Sequence, residues 1–388
     1  MKTINPVVSN LPCSGIRQIY NEANQYSDVL HLEIGQPNFP TPSHIIQAAH
    51  QAARDGFTSY TPNAGLVSLR EAFSFSLQRD YQIQVSPDQV VVSVGAMGAL
   101  FNTFAVLTAR NDEVLIPDPG YPNYSMALKL LHVSPVAYPL YIKHDNFCID
   151  TGIIKSLITK RTKAIVINSP SNPTGLMLDT KTMAEIVEIA TQAGIFFISD
   201  EAYDHIIFDK LHVSALSMEQ SERIISIFSC SKTYAMTGWR VGFAVAPVEI
   251  SQMIAKIQEA TISCASSISQ KAAETAILGP QDCVEQMKIA YLENRDDAIR
   301  MCEQFSIKYI KPDGAFYLMI SLPPFIHQNS MKFSLDLLKE MKVAVAPGST
   351  FGSQGEGYIR IALCTSKVNI KEGIQRIASY FSKVNHDQ

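Results

Sequence analysis

The feature that most constrains the fold of this sequence is an alternation of short apolar runs with amphipathic segments, from about residue 88 onward. Strand-like apolar runs lie at residues 89–94, 113–117, 135–140, 163–168, 195–199, 224–228 and 242–246. Helix-like segments separate many of them, such as residues 181–193 with their apolar stripe at helical spacing. Near-continuous apolar strands that alternate with helices are typical of a parallel sheet covered on both faces. We therefore predict an α/β fold whose mostly parallel, seven-stranded sheet is sandwiched by helices.

The pattern changes near residue 280, where a long charged amphipathic segment at 284–305 begins. It is followed by strand-like and helix-like runs at residues 315–321, 334–341, 343–346, 358–363 and 371–383. The chain has 388 residues, and a single core stops growing at about 250–300 residues. We predict a large domain over residues 40–282. A smaller α+β domain is expected to combine residues 1–39 with residues 283–388.

Charge and composition exclude several classes of partner. The formal net charge of −4 gives no basic footprint, so nucleic acid is not expected to bind. No apolar run reaches the roughly 18–20 residues of a membrane span, and the first twenty residues lack the apolar centre of a signal peptide. The seven cysteines show neither pairing nor metal-ligand spacing, which favours reduced thiols. We expect a cytoplasmic protein without a membrane or nucleic-acid partner.

The most informative polar motif directly follows the strand-like run at 224–228. It holds Lys232, preceded by Ser229 and Ser231 and followed eight residues later by Arg240. A lysine can form a Schiff base with an aldehyde, and hydroxyls with a guanidinium can hold a phosphate. Pyridoxal phosphate (PLP) carries both groups, so the spacing suits a PLP pocket. A solvated surface lysine is the ordinary alternative, but the preceding apolar strand disfavours it.

Polar residues also follow other strand-like runs, where ligands collect in an open parallel sheet. Gly95, Ala96 and Met97 open a helix whose backbone N–H groups could meet a phosphate, although an ordinary strand-to-helix turn also explains them. Asp200 and Glu201 follow the run at 195–199. Two acids could bind a metal, but no histidine or cysteine joins them. Asp200 could equally cap a helix or lie at the surface.

Three further residues lie either in conformationally restricted turns or where burial of a charge costs free energy. Tyr121 lies in a proline-stiffened turn and could stack on an aromatic ring or be a surface tyrosine. Asn172 begins an Asn-Pro-Thr-Gly sequence, which is a turn by its own chemistry. Arg360 lies in the otherwise apolar run at 358–363, where a guanidinium is costly unless it meets an anion. That anion could be a substrate carboxylate or a structural salt-bridge partner.

These motifs, in this order over residues 33–365, resemble the class I/II aminotransferases, a PLP-dependent family of fold type I. The resemblance implies that Lys232 carries PLP as a Schiff base and acts in catalysis with Asp200 and Tyr203. Asp200 would pair with the pyridine nitrogen, and Tyr203 would hydrogen-bond the ring oxygen. The other cofactor-binding residues implied are Gly95, Ala96, Met97, Tyr121, Asn172, Ser229, Ser231, Arg240 and, from a neighbouring subunit, Tyr60.

The resemblance also implies how substrates and subunits are arranged. Gly35, Asn172 and Arg360 would bind the substrate, with Arg360 on its α-carboxylate. Substrates would be an amino acid and a 2-oxo acid, most simply 2-oxoglutarate, which react in ping-pong order. A homodimer with shared active sites is implied, because Tyr60 would cross to the neighbour's phosphate.

Within the family, the chain is similar to the bacterial and archaeal aspartate and aromatic aminotransferases. The segments 14–17, 59–65 and 263–271 resemble N-acetyl-diaminopimelate aminotransferases. Aspartate-selective relatives carry a lysine where this chain has Met97, which offers no charge to a distal carboxylate. We therefore expect an aromatic, aliphatic or N-acetyl-diaminopimelate-like donor rather than strictly aspartate. Arg17 could supply the missing charge or be an ordinary surface arginine.

The scaffold does not fix the reaction, so other functions stay open. A PLP-dependent carbon–sulfur lyase or a cyclopropane-forming synthase could share this fold. A PLP-binding regulatory protein would need a DNA-binding module, for which the short stretch before residue 33 leaves no room. A nicotinamide dehydrogenase is disfavoured because residues 95–98 do not continue as Gly-x-Gly-x-x-Gly.

Overall fold

Helices and strands alternate through most of the chain, as the sequence pattern predicts. The computed structural model describes residues 4–11, 13–218, 221–324 and 329–386. The strands are β1 (Leu30–His31), β2 (Val90–Ser93), β3 (Glu113–Asp118), β4 (Ser134–Lys143), β5 (Asn146–Ile149), β6 (Thr162–Asn168), β7 (Phe196–Asp200), β8 (Ile224–Ser229), β9 (Gly242–Val245), β10 (Tyr309–Ile310), β11 (Tyr317–Ser321), β12 (Val343–Ala344), β13 (Ala346–Pro347) and β14 (Tyr358–Ala362). The α-helices are α1 (Pro6–Ser9), α2 (Gly15–Ala23), α3 (Ser43–Arg54), α4 (Val67–Tyr81), α5 (Gly95–Leu107), α6 (Pro122–Leu130), α7 (Thr151–Leu157), α8 (Thr180–Gln192), α9 (Cys230–Thr233), α10 (Val248–Thr261), α11 (Ser267–Leu278), α12 (Asp282–Gln304), α13 (Ser330–Met341) and α14 (Lys367–His386).

The larger sheet has the strand order β2-β9-β8-β7-β6-β3-β4-β5. Neighbours from β8 to β4 pair in parallel, whereas β9 is antiparallel to both β2 and β8. This confirms the predicted α/β class and its mostly parallel sheet. The sequence predicted seven of the strands, and the structure adds β5, which pairs with β4 in an antiparallel hairpin at the sheet edge. No apolar run marks β5, because its four residues lie in a mixed polar stretch.

Apolar side chains on both faces explain why the central strands are so hydrophobic. Along β6, Val166 packs on one face in a cluster that includes Phe104 of α5. Ile165 and Ile167 point to the other face, where they pack with Met183 and further residues of α8. A strand buried on both faces reads as a continuous apolar run, which is the pattern of residues 163–168.

The C-terminal part of the chain forms a separate sheet of order β10-β11-β14-β13 with antiparallel pairing. The N-terminal arm pairs with the C-terminal part of the chain in a separate two-stranded sheet, in which β1 lies parallel to β12. The predicted grouping of residues 1–39 with residues 283–388, with its boundaries at 40 and 282, stays a prediction. The predicted strand 343–346 is two short strands, since β12 pairs with β1 and β13 with β14.

The predicted helix at 334–341 begins earlier, at Ser330. The side chain of Asn329 accepts a hydrogen bond from the backbone N–H of Lys332, which caps the first turn. Among the residues that the structure describes, no helix is both long enough and apolar enough to span a bilayer.

Substitution of Gly242 tests how closely β9 approaches the turn at the start of α5. A Cβ on Gly242 would lie 2.5 Å from the backbone N of Ala96 and 2.9 Å from the backbone O of Phe228. Since backbone cannot yield as a side chain can, we expect Gly242→Ala to cost about 1–3 kcal/mol of unfolding free energy. Gly238→Ala is the matched control, because a Cβ there meets no atom within 4 Å. Urea unfolding followed by circular dichroism checks both; equal midpoints would contradict the close approach.

Candidate active site

A cavity of about 370 Å³ lies where β6, β7 and β8 end, lined by Asn168, Asp200 and Ser229 at those strand ends. The predicted site residues that line it are Gly35, Ala96, Met97, Tyr121, Asn172, Asp200, Tyr203, Ser229, Ser231, Lys232, Arg240 and Arg360. Gly95 and Tyr60 do not line it, and Tyr60 is 88% exposed. The structure thus brings nearly all of the predicted residues into one site.

Lys232 is held in the short helix α9 directly after β8. The Ser229 side chain caps this helix by accepting a hydrogen bond of 3.1 Å from the N–H of Ser231. The Lys232 Nζ donates a 2.7 Å hydrogen bond to the carbonyl oxygen of Gly35. The pKa of Lys232 is lowered to about 8, chiefly by burial; Cys364 opposes the shift, and the charges of Arg360 and Arg240 make smaller contributions that lower the pKa. An amine with such a pKa is a nucleophile near neutral pH.

Asp200 is a buried acid on the same cavity. Its Oδ2 accepts a 2.5 Å hydrogen bond from the Tyr124 hydroxyl, and its Oδ1 accepts one of 3.2 Å from the N–H of Ala202. Burial raises the pKa of Asp200 to about 6; these two hydrogen bonds oppose the rise, and the charge of Glu201 adds to it. A buried carboxylate without a cation needs a positive or N–H-bearing partner in the cavity.

Arg240 and the start of α5 form the part of the cavity that suits a phosphate. The Arg240 backbone is left-handed, with φ of 56°, and its Nη1 donates a 3.0 Å hydrogen bond to the carbonyl of Thr237. Gly95 has a positive φ of 70°, which favours glycine, and a Cβ there would lie 2.4 Å from Nη2 of Arg240. Backbone N–H groups at a helix start beside an arginine are suited to bind an anion.

Arg360 is almost fully buried in β14. Its Nη1 donates a 2.9 Å hydrogen bond to Oδ1 of Asn172, and its Nη2 donates one to the carbonyl of Glu33. The guanidinium lies 4.2 Å from the ring centroid of Tyr317, and Nε is buried without a hydrogen-bond partner. Among the described residues no carboxylate pairs with it, so the structural salt bridge left open by the sequence is not formed. The guanidinium is available for an anion in the cavity.

Sequence reasoning missed several residues that orient this site. The Tyr203 hydroxyl lies 2.8 Å from that of Tyr317, and a Cβ on Gly35 would lie 1.9 Å from the same Tyr317 oxygen. Tyr124 could have been found, because it lies three residues after Tyr121 at the start of the same helix. Tyr317 gave no signal, since it lies in an ordinary apolar strand of the other sheet.

These groups fit PLP. The aldehyde would meet a buried amine of lowered pKa, and the phosphate would meet Arg240 and helix-start amides. The ring nitrogen would meet the buried carboxylate of Asp200. Tyr121 lines the cavity, where its hydroxyl accepts a 2.9 Å hydrogen bond from Asn123. Such a set of groups defines an enzyme of PLP-dependent amine chemistry.

The chain belongs to the aminotransferases of class I and II, whose family model matches residues 27–377. It is therefore a PLP-dependent aminotransferase. It is 34% identical over 381 residues to a probable N-acetyl-LL-diaminopimelate aminotransferase of Bacillus subtilis (strain 168), covering 98% of this chain and 96% of the relative. It is 38% identical over 367 residues to an aspartate aminotransferase of Pyrococcus horikoshii, covering 94% and 93%. The structure of an aromatic aminotransferase from Pyrococcus horikoshii matches with a TM-score of 0.89 at 35% identity, covering 95% of this chain and 99% of that one.

The pKa of Lys232 predicts how the apoprotein takes up PLP. Only the neutral amine attacks an aldehyde, so the uptake rate should follow deprotonation of Lys232 with a midpoint near 8. We expect a rise of about fivefold between pH 7 and pH 8 and a plateau above about pH 9. Stopped-flow absorbance after mixing apoprotein with PLP measures this rate. A rate that keeps rising about tenfold per pH unit toward pH 10, as for an ordinary lysine, would contradict the effect of burial.

Proposed function

We propose that this aminotransferase moves the amino group of an L-amino acid to 2-oxoglutarate in ping-pong order, with Lys232 as the residue that holds the cofactor. The observation that carries this proposal is the combination in one cavity of three buried groups. They are the Lys232 amine of lowered pKa, the Asp200 carboxylate, and the Arg360 guanidinium that has no carboxylate partner among the described residues. An amine substrate with a carboxylate needs all three.

The cofactor would be held by groups on four sides of the cavity. When bound, PLP supplies an aldehyde that condenses with amines and a ring that accepts electrons from the substrate Cα. Asp200 would hold a proton at the ring nitrogen, Tyr203 and Asn172 would donate hydrogen bonds to the ring oxygen, and Tyr121 would cover a ring face. The phosphate would be held by Ser229, Ser231, Arg240 and the backbone amides of Gly95, Ala96 and Met97.

Arg360 and Asn172 orient the substrate. Arg360 binds the α-carboxylate by a charge-assisted pair, and the 2.9 Å hydrogen bond that its Nη1 donates to Oδ1 of Asn172 fixes the plane of its guanidinium. Gly35 lets the backbone approach the substrate without a side chain in the way. The Lys232 Nζ then removes a proton from the substrate Cα and later returns one, as a general base and acid with a pKa near the working pH. A keto acid leaves before the acceptor enters.

The wall of the cavity selects the donor side chain. Ile16, Met97 and Leu100 line it and offer apolar contact. Because position 97 is methionine and not lysine, it offers no charge to the distal carboxylate of a dicarboxylic donor. Arg17 also lines the cavity, with its guanidinium 5.5 Å from the ring centroid of Tyr20, and no carboxylate of the described residues pairs with it. We propose that apolar, aromatic or N-acetyl-diaminopimelate-like donors bind the apolar wall. Arg17 would bind a distal carboxylate, including that of 2-oxoglutarate.

The similar proteins support this range of donors without choosing among them. One relative is named an N-acetyl-LL-diaminopimelate aminotransferase, another an aspartate aminotransferase, and a matching structure an aromatic aminotransferase. None of these three is named a lyase, so the carbon–sulfur lyase alternative is not favoured.

Assembly and location are further parts of the proposal. The exposed Tyr60 lies outside its own subunit's cavity, as a residue that completes a neighbour's phosphate site would. We propose a homodimer with shared sites and a cytoplasmic enzyme. The division into residues 40–282 and residues 1–39 with 283–388 is retained as its domain description.

A half-reaction screen tests donor choice and the role of Arg17 together. The PLP-loaded enzyme is mixed with single amino acids, including leucine, phenylalanine, aspartate, glutamate and N-acetyl-LL-diaminopimelate, and conversion to the pyridoxamine form is followed by absorbance. Arg17→Gln should lower kcat/KM about 10- to 100-fold for substrates with a distal carboxylate, because a charge-assisted hydrogen bond is lost. It should change kcat/KM by less than about twofold for leucine and phenylalanine.

Arg110→Gln is the matched control, since Arg110 is an exposed arginine that does not line the cavity. It should leave every half-reaction unchanged. Equal losses with apolar and anionic donors in Arg17→Gln would contradict the assigned role of Arg17. A wild-type enzyme that no amino acid converts would contradict the proposed function itself.

A further inference from the structure

Three cavity residues are each followed by a buried polar residue that does not line the cavity. Glu201 follows Asp200, Asp204 follows Tyr203, and Thr233 follows Lys232; the relative exposures of Glu201, Asp204 and Thr233 are 0%, 7% and 4%. These polar side chains therefore lie behind the residues proposed to act on the substrate and cofactor. Burial of so many polar groups is costly unless they are paired.

Glu201 is the most deeply buried of them and has one ionic partner. Its Oε2 lies 2.8 Å from Nε2 of His212, whose side chain is only 2% exposed. Its Oε1 accepts a 3.3 Å hydrogen bond from the N–H of Ala215. The Glu201 N–H in turn donates a 2.8 Å hydrogen bond to the carbonyl of Ile227, which ties this residue to β8. The pair thus anchors the chain between Asp200 and Tyr203.

The groups around His212 leave Glu201 as its main partner. His212 Nδ1 is buried and has no hydrogen-bond partner in the part of the chain that the structure describes, and the Tyr81 ring contacts the imidazole edge-on at 5.4 Å between centroids. The Tyr81 hydroxyl donates a 2.8 Å hydrogen bond to Oδ2 of Asp204. Asp204 also receives a 3.0 Å hydrogen bond at Oδ1 from the N–H of His205, whose ring Nε2 lies 3.6 Å from Oδ2.

The charge of His212 offsets that of Glu201. Burial alone lowers the pKa of His212, but the hydrogen bond to Glu201 and the charges of Glu201 and Asp204 raise it above its ordinary value. The charge of Glu201 also raises the pKa of Asp200. If Glu201 lost its partner, an uncompensated negative charge would stand one residue from Asp200.

We propose that Glu201 and His212 are a positioning pair, which holds the segment carrying Asp200 and Tyr203 and cancels a charge that would otherwise act on the ring-binding carboxylate. The inference rests on the proposed role of Asp200. Neither residue touches the cavity, so neither is a catalytic residue. Their effect reaches the reaction through the geometry and the charge of Asp200.

The test is a double-mutant cycle on the holoenzyme, read by the pH midpoint of its visible absorbance and by steady-state kinetics. His212→Gln leaves Glu201 unpaired, and the added negative charge should raise the midpoint by about one pH unit. It should also lower kcat about tenfold, with KM changed by less than about twofold. In Glu201→Gln the histidine loses the hydrogen bond and the charge of Glu201, and no charge is left unpaired beside Asp200, so the midpoint should stay within about 0.3 units. The double variant, which removes both charges, should likewise return to within about 0.3 units of wild type.

Glu113→Gln is the matched control. Glu113 is a buried glutamate at the amino end of β3, away from the strand ends that line the cavity, and it accepts hydrogen bonds from Thr159 and Arg161. It should leave the midpoint and kcat unchanged. If His212→Gln does not fold, the comparison of folding decides. The double variant contains no unpaired buried charge, so it should fold and keep the wild-type midpoint, and a double variant that also fails to fold would contradict the role of the pair.

Two results would contradict the proposed role of the Glu201–His212 pair. In one, His212→Gln and the double variant keep the wild-type midpoint. In the other, the double variant shifts as far as His212→Gln, which means that lost packing and not charge is responsible. Failure of the proposed function is distinguishable, since wild-type holoenzyme would then show no pH-dependent visible band dependent on Lys232.

Discussion

The site depends on the burial of one amine. Among the described residues, the Lys232 amine has one hydrogen-bond acceptor, the carbonyl of Gly35, while Arg360 and Arg240 add positive charge to its surroundings. Because a buried ammonium near two guanidinium groups is unfavourable, the proton is held weakly and the amine is nucleophilic near neutral pH. The rest of the structure brings the Asp200 carboxylate, the anion-binding arginines and this amine into one cavity without pairing them with one another.

Two sheets contribute to that arrangement. The larger sheet supplies Asp200 and Lys232 at neighbouring strand ends, whereas Arg360 comes from β14 of the C-terminal sheet. The N-terminal arm connects them. The N–H of Leu32 donates to Ala344, and the N–H of Ala362 donates to the carbonyl of Leu32. This places the carbonyls of Glu33 and Gly35 against the side chains of Arg360 and Lys232. Two residues of the arm therefore touch the two functional cations, one each, which couples the position of the arm to the state of the site.

Much of this could be predicted from the sequence, because the strand ends carry their chemistry in short motifs. Lys232 lies just after an apolar strand, and Arg360 is the charged residue of an apolar run, so the sequence singled out both as site residues. The residues that orient them were not. Tyr317 lies in a strand whose pattern is that of any core strand, and its contact with Tyr203 arises only when two sheets meet. The Glu201–His212 pair spans eleven residues of irregular chain, for which periodicity gives no register. Strand β5 was missed because a four-residue edge strand needs no apolar run.

The central claim is that Lys232 alone carries the cofactor. It is tested most directly by loading the protein with PLP, reducing it with borohydride and mapping the modified peptide by mass spectrometry. Wild-type protein should carry the reduced cofactor on the peptide containing Lys232, and Lys232→Ala should carry none and show no transamination. Labelling at another lysine, or a Lys232→Ala variant that keeps near-normal turnover, would contradict the account.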